Sequence, residues 1–211
     1  MKRDRTGADR SVVKRVRSGW APPTIPIPSA FGRLDDVIDS WFDSHLRGRP
    51  VADAVMYGAS AAGDHGLLWL ALAGLQAARR RDGDWKRPLV RATAGLACES
   101  ILVNGPVKWM FRRTRPVHDV PRPRHLRQPR TSSFPSGHAS AAFFGAALLS
   151  EDDALWPLYY AIAVVVASSR VHVKIHHASD VIGGALIGAA LGELARKMFP
   201  LAKESSGPRV G

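Results

Sequence analysis

The sequence predicts an all-α protein, a membrane-embedded helical bundle of about five transmembrane helices with an N-terminal amphipathic helix. Three observations predict it. Long stretches after residue 50 consist mainly of Ala, Gly, Leu and Val, whereas the first 49 residues are polar and basic. The mean hydropathy of −0.10 therefore averages two unlike regions. The apolar stretches come in five blocks, near 51–78, 89–107, 137–150, 154–168 and 180–199. None of them shows the period-two alternation of a half-buried strand. A span needs roughly 20 residues. Several blocks fall at or below that length, and Arg91, Glu99, Asn104 and Glu193 lie within them. A soluble helical bundle is the competing architecture.

The elements follow in order. Residues 1–29 read as a disordered arm. "MKRDRTGADRSVVKRVRSGW" is rich in charge, and four prolines in "APPTIPIPS" keep the chain extended. No apolar run follows the basic start, so no secretory signal is expected. Residues 30–49 set Phe31, Leu34, Val37, Ile38, Trp41, Phe42 and Leu46 at helical spacing. This amphipathic helix either packs on the core or lies at a membrane interface. The helical core is expected over 50–200, with a disordered tail at 201–211. Its first block is interrupted by "GDHG" at 63–66, and its last contains Gly184 and Gly188 in a GxxxG that suits close helix packing in lipid.

The chain has 211 residues, a net charge of +12 and a pI near 10.8. Such a chain suits a polyanionic partner: nucleic acid, an anionic membrane surface or a phosphate-bearing substrate. The basic residues flank apolar blocks, and no nucleic-acid recognition motif is present, so a nucleic-acid partner is not expected. The single cysteine, Cys98, allows no intrachain disulfide and reads as a small apolar residue.

Three clusters carry chemistry. In "KWMFRRTRP", Lys108 and Arg115 are seven apart. A continuing helix would put them on one face, although Pro116 disfavours helix at Arg115. In "SFPSGHASAAFFGAALL", Ser136 can cap a helix whose first turn offers the N–H groups of Gly137 and His138 to an anion, with His138 placed to give up a proton. In "SSRVHVKIHHASD", His176 and Asp180 are four apart and would face each other on a helical turn. An aspartate behind a histidine fixes its tautomer and makes the other nitrogen a better nucleophile. Arg170 suits bidentate contact with phosphate oxygens. His172 and His177 have no partner by spacing and read as structural or interface residues. Together these groups suit phosphoryl transfer through a phosphohistidine. Lysine and arginine supply the positive charge, so no metal or other cofactor is required.

These three ordered stretches, Lys108 to Arg115–Pro116, Pro135 to His138, and Ser169–Arg170 to His176–Asp180, resemble the signature motifs of the type 2 phosphatidic acid phosphatase family. Lipid phosphate phosphatases and vanadium haloperoxidases share that superfamily. The resemblance covers about 51–199. It implies that Lys108, Arg115 and Arg170 bind phosphate, helped by Ser136 and Gly137, with Ser169 supporting them. It implies that His138 is the general acid and that His176 is the nucleophile, oriented by Asp180. The "GDHG" resembles a stretch near the start of the core in many actinobacterial members, which suggests that Asp64 and His65 lie at the pocket mouth. His177–Ala178 stands where many relatives have Tyr-Pro, so His177 also borders the pocket.

The expected partners are a lipid phosphate and the surrounding membrane lipids. Candidates are a polyprenyl phosphate or diphosphate, a glycerolipid phosphate, or a polyprenyl-phosphoryl-pentose phosphate of actinobacterial wall synthesis. With five spans, the arm and all three motifs share one side, which carries 20 Lys and Arg against 10 on the other. The positive-inside rule then leans to a cytoplasmic site in a multi-pass membrane protein. The rivals are a vanadate-dependent oxidase and a catalytically dead scaffold.

Overall fold

The apolar blocks fold as helices, and glycine, proline or polar stretches end them. A computed structural model describes residues 29–80, 85–117, 131–151 and 153–201, and among these there is no strand. The all-helical expectation holds. The expected disordered arm and tail lie outside the described residues except at their inner edges. Ser29 already begins a helix, and Leu201 is buried, its N–H donating to Glu151 Oε1 at 2.9 Å.

Helix α1 (Ser29–His45) lies across one end of the bundle. It packs Ile38 and Phe42, with Leu46 just past its end, against Ala167, Val171, Ala178 and Val181. Helix α2 (Pro50–Ala62) starts with proline in its first turn, where the missing N–H costs nothing. It is broken from α3 (Leu67–Arg79) by the 63–66 turn, where His65 (φ +57°) and Gly66 (φ +70°) are both left-handed. A non-glycine residue there is uncommon. Helix α4 (Lys86–Leu102) runs into one π-helical turn at Val103–Val107 that contains Gly105 and Pro106. One α-turn, α5 (Lys108–Met110), follows. The chain is extended from Phe111, so Lys108 and Arg115 do not share a continuing helix; the helix stops five residues before Arg115. Then come α6 (Gly137–Leu149), α7 (Trp156–His172) and α8 (Ala178–Met198).

Helix α6 is the axis. Nine of its 13 residues are buried, and it has no polar face, as expected of a helix surrounded by others. Its tightest neighbour is α8. A Cβ at Gly184 would collide with the Ser136 carbonyl, and one at Gly188 with that of Ser140. Trp69, Ala73, Ala92, Leu96, Phe144, Leu148, Tyr159 and Val166 join α3, α4, α6 and α7 in one core. The end away from the motifs is closed by Arg79, whose Nη2 meets Asp153 Oδ2 at 2.6 Å.

Large apolar residues stay exposed around the bundle, among them Val90, Ile101, Val164, Ile182, Leu186 and Leu194. Exposed tryptophans sit toward both ends, with Trp85 and Trp156 opening α4 and α7, and Trp41 and Trp109 at the motif end. That is the distribution of a protein set in a bilayer. By length and composition, α8 alone among the described helices is long and apolar enough to cross a membrane. α6, at 13 residues, is about 20 Å long.

Candidate active site

The three clusters meet at one end of the bundle because α6 and α8 start side by side. The Ser136 N–H donates to the Asp180 carbonyl at 2.9 Å, joining the head of α6 to the head of α8. Ser136 caps α6, its Oγ accepting from Ala139 N at 3.4 Å. His177 occupies the N-cap position of α8, and Asp180, at its third residue, accepts from the His177 N–H at 2.9 Å. His176 therefore precedes α8, and His176 and Asp180 are not neighbours on a helical turn. The Lys174 turn (φ +50°) and two N–H bonds, from Ile175 and His176 to the Arg170 carbonyl, fold the link back instead. Helix α7 runs past the expected 168, so Arg170 sits on its last turn.

His176 is fully enclosed on its Nδ1 side. Nδ1 lies 3.5 Å from Ser133 Oγ and 3.7 Å from Asp180 Oδ2. Catalytic contacts of this length are common before substrate binds. On the other side, Arg115 Nη1 donates toward Nε2 at 3.2 Å. A guanidinium cannot accept, so Nε2 carries the lone pair and Nδ1 the proton. Burial, with Arg115 and Arg170 close by, pushes the His176 pKa down to about 3 against the pull of Asp180. The ring is neutral at ordinary pH, with its free nitrogen turned to the cations.

Asp180 is wholly buried and more than an orienting group. Its Oδ2 accepts from Ser133 Oγ at 2.5 Å, and its Oδ1 from Arg113 Nη1 at 2.6 Å. Arg113 also donates to Ser179 Oγ at 2.6 Å and to Asp35 Oδ2 of α1 at 2.5 Å.

One cavity of about 550 Å³ collects the remaining groups. Lys108, Arg115, Arg170, Gly137, His138, His176, Asp64 and His65 line it. Each cation is held in place. Lys108 Nζ donates to Asn104 Oδ1 at 2.9 Å, Arg170 Nη1 to Ser60 Oγ, and Arg115 Nη1 to the Ile175 carbonyl at 2.9 Å. Burial lowers the pKa of Arg115. Gly137 has no side chain, which lets Asn104 approach the head of α6; a Cβ would come within 2.7 Å of Asn104 Oδ1. His138 Nε2 bonds Asp64 Oδ1 at 2.7 Å across the break between α2 and α3. Leu70, Leu96, Ala97 and Ala141 line the cavity too, as do Glu99, Ser100 and Asn104.

Four expected site residues do not line this cavity, Asp180 among them, which sits behind His176. His177 caps α8, and its ring turns to the Thr114 carbonyl at 3.3 Å, away from a pocket mouth. Ser169 is buried and donates to the Val166 carbonyl at 2.6 Å, and Ser136 is used up as the α6 cap. His172 is buried and bonded to Asp53 at 2.8 Å, pinning α7 to α2, a structural role. Sequence reasoning missed Ser133, Arg113 and Asp35. Arg113 lay inside the first motif. Asp35 was legible as one acid on the inward stripe of α1, three residues before Ile38.

The same three stretches fall inside the match to the PAP2 superfamily family model, which spans residues 88–204. The chain belongs to the PAP2 superfamily. A decaprenylphosphoryl-5-phosphoribose phosphatase of Mycobacterium tuberculosis is 33% identical over 153 residues, covering 72% of this chain and 82% of that protein. An undecaprenyl-diphosphatase of Sulfolobus acidocaldarius is 36% identical over 105 residues, 48% of each chain. Among solved structures, a transmembrane PAP2-type phosphatidylglycerolphosphate phosphatase from Bacillus subtilis superposes with a TM-score of 0.63. The match covers 81% of this chain and 87% of that one at 24% identity, a likeness of fold. As expected, the PAP2 chain is a phosphoric ester hydrolase.

Proposed function

We propose that this PAP2 protein is a multi-pass membrane phosphatase that hydrolyses a phosphomonoester or diphosphate of a membrane lipid through a phosphohistidine on His176, without a metal. The observation that carries the reading is the mixed lining of the cavity. Three fixed cations and the head of a helix share its wall with Leu70, Leu96, Ala97 and Ala141. The cations and the helix head suit a phosphate dianion, and the apolar side chains suit a lipid chain. In this reading Lys108, Arg115, Arg170 and the first N–H groups of α6 hold the phosphate oxygens. His176 Nε2 attacks phosphorus while the leaving oxygen takes a proton from His138. Water then attacks the phosphohistidine, giving its proton back to His138 and releasing inorganic phosphate and neutral His176. Ser133 and Asp180 face the Nδ1–H as positive charge grows on the ring. Asp64, bonded to His138, supports that ring when protonated. The reading has α3, α4, α6, α7 and α8 crossing the bilayer, with the motif end cytoplasmic as the charge bias favours.

A second reading, a polyprenyl-phosphoryl-pentose 5-phosphate as substrate, has its own support. Glu99, Ser100 and Asn104 on the cavity wall could pair sugar hydroxyls, and the M. tuberculosis relative is named for such a compound. The test is phosphate release in detergent with EDTA, from polyprenyl phosphates, glycerolipid phosphates and a polyprenyl-phosphoryl-pentose phosphate, for wild type and His176→Ala. EDTA-resistant release that disappears in His176→Ala supports the mechanism, and the fastest substrate decides between the readings. Release that needs a divalent metal, or that survives in His176→Ala, overturns it.

A further inference from the structure

Helix α1 lies N-terminal to the family match, yet it reaches the catalytic dyad. Asp35 is 4% exposed. Its Oδ1 accepts the Ser179 N–H at 2.7 Å, in the first turn of α8, and its Oδ2 accepts from Ser179 Oγ at 2.9 Å and from Arg113 Nη2 at 2.5 Å. The other arm of the same guanidinium holds Asp180 at 2.6 Å. Two carboxylates from opposite ends of the sequence thus clamp one arginine. Burying acids here is costly unless each is paired. A peripheral helix needs no such acid to dock, because Ile38, Phe42 and Leu46 already supply an apolar stripe.

The rest of α1 divides around that stripe. At 3.6 residues per turn, Leu34, Val37 and Trp41 fall on one flank, and Arg33, Asp36, Ser40 and Asp43 on the other. Both flanks are exposed, with Val37 at 69% and Trp41 at 49%. A helix lying on a bundle at the edge of a bilayer has this division, with one flank to lipid and one to water. Trp109, at the same end of the bundle, is also exposed. The preceding residues 1–28 carry seven Lys and Arg against two Asp, the complement of anionic headgroups.

We propose that α1 is an interfacial helix, seated by its apolar flank on an anionic bilayer surface, and that it positions the catalytic dyad through Asp35 and Arg113. Both are positioning residues; neither touches substrate. The arrangement ties the seating of the enzyme on lipid to the geometry of Asp180 and His176. The inference rests on the phosphohistidine reading for its kinetic arm alone.

Two measurements test it on the full chain in phosphatidylglycerol-containing vesicles. The first compares Asp35→Asn, Asp35→Glu and Phe42→Ala. Asp35→Asn should lower kcat tenfold or more with KM within twofold, and Asp35→Glu should restore most of it. Phe42→Ala loosens α1 without touching the clamp, so it should lower Tm at least as far as Asp35→Asn and leave kcat within about twofold. A loss of kcat that follows Tm equally in both variants overturns the proposal. Affinity for orthovanadate, read as a Tm shift, gives the same comparison without turnover, so failure of the phosphatase reading is told apart from failure of this one. The second attaches a fluorophore at Val37→Cys or Asp36→Cys in a Cys98→Ser background. Quenching by spin-labelled lipid at 37 and not at 36 is expected. Equal or absent quenching, as when residues 1–28 cover the flank, overturns the lipid assignment.

Discussion

Replacing Asp180 by asparagine separates its two tasks. The side chain is wholly buried and accepts three closed hydrogen bonds, from Ser133 Oγ, the His177 N–H and Arg113, in addition to facing His176 Nδ1. An asparagine must put its NH₂ on one side. Facing Arg113, it loses a charged bond, worth about 1.5–3 kcal/mol. Facing Ser133, it opposes the His177 N–H and the protonated Nδ1. Arg113 keeps Asp35, so no cation is stranded, and the cost should stay at roughly 2–3 kcal/mol, short of the roughly 3–5 of a broken buried pair. The kinetic loss should be larger. Without the carboxylate, Arg115 alone favours the tautomer with the proton on Nδ1, and no negative charge offsets the positive charge that grows on the ring. We expect kcat to fall on the order of 10³-fold, about 4 kcal/mol of barrier. The assay pairs phosphate release per folded enzyme with thermal unfolding in the same detergent. A folded Asp180→Asn enzyme within threefold of wild type would refute the orienting role.

Three further outcomes are expected. Gly188→Ala should cost about 1–3 kcal/mol or more, because its Cβ meets the Ser140 backbone, whereas Gly58→Ala has open space and should be neutral or slightly stabilising; comparing the two unfolding midpoints checks this. Asp64→Asn should slow release from a lipid phosphate by about 10²-fold and from p-nitrophenyl phosphate far less, because only the first leaving group needs the proton that Asp64 helps His138 hold; equal losses would assign Asp64 a structural role. The lowered pKa of His176 links to stability with a definite sign. Below its ordinary 6.5 the unfolded chain gains a proton there that the folded chain refuses until about pH 3, so this contribution is present above 6.5 and is lost as pH falls. At pH 5 the loss is roughly 2 kcal/mol, and His176→Asn should remove it. Unfolding curves at pH 7.5 and 5 for both proteins decide.

The helices and the motif residues that converge were legible because each rests on local chemistry. Runs of Ala and Leu cannot avoid burial, Ser136 caps as a serine before an apolar run should, and Gly184 with Gly188 announces a close helix pair. What was not legible depends on where chain ends meet. The His176–Asp180 spacing fits a helix, yet Lys174 takes a left-handed turn and α8 starts two residues after His176. Lys108 and Arg115 fit two helical turns, yet Gly105, Pro106 and Pro116 make a bend and an extended strap instead. His177 looked like a pocket residue by position in a motif, but a cap position turns the ring outward. Ser133 and Asp35 act across 47 and 145 positions of sequence from Asp180, and no local period reports a pairing of that kind.

The allocation of charge explains why so many groups are needed. Among the described residues Lys108 and Arg115 form no ion pair; Asn104 and backbone carbonyls hold them. Neutral partners fix direction without neutralising charge, so the cations keep their attraction for a dianion. The carboxylates serve the two rings and the arginine behind them: Asp64 for His138, Asp180 for His176 and Arg113, Asp35 for Arg113. Were Asp180 paired with Arg115 instead, an arriving phosphate would have to displace it, and binding would cost what the pair had gained. Folding has already set the cations against one another, and an environment arranged in advance needs no reorganisation when charge moves from phosphorus to the leaving oxygen. Removing one cation should therefore weaken phosphate and orthovanadate binding together, in proportion to the charge lost. Removing Asp35 or Ser133 should leave phosphate binding intact and weaken orthovanadate alone, because only a ligand that bonds Nε2 depends on the aim of His176.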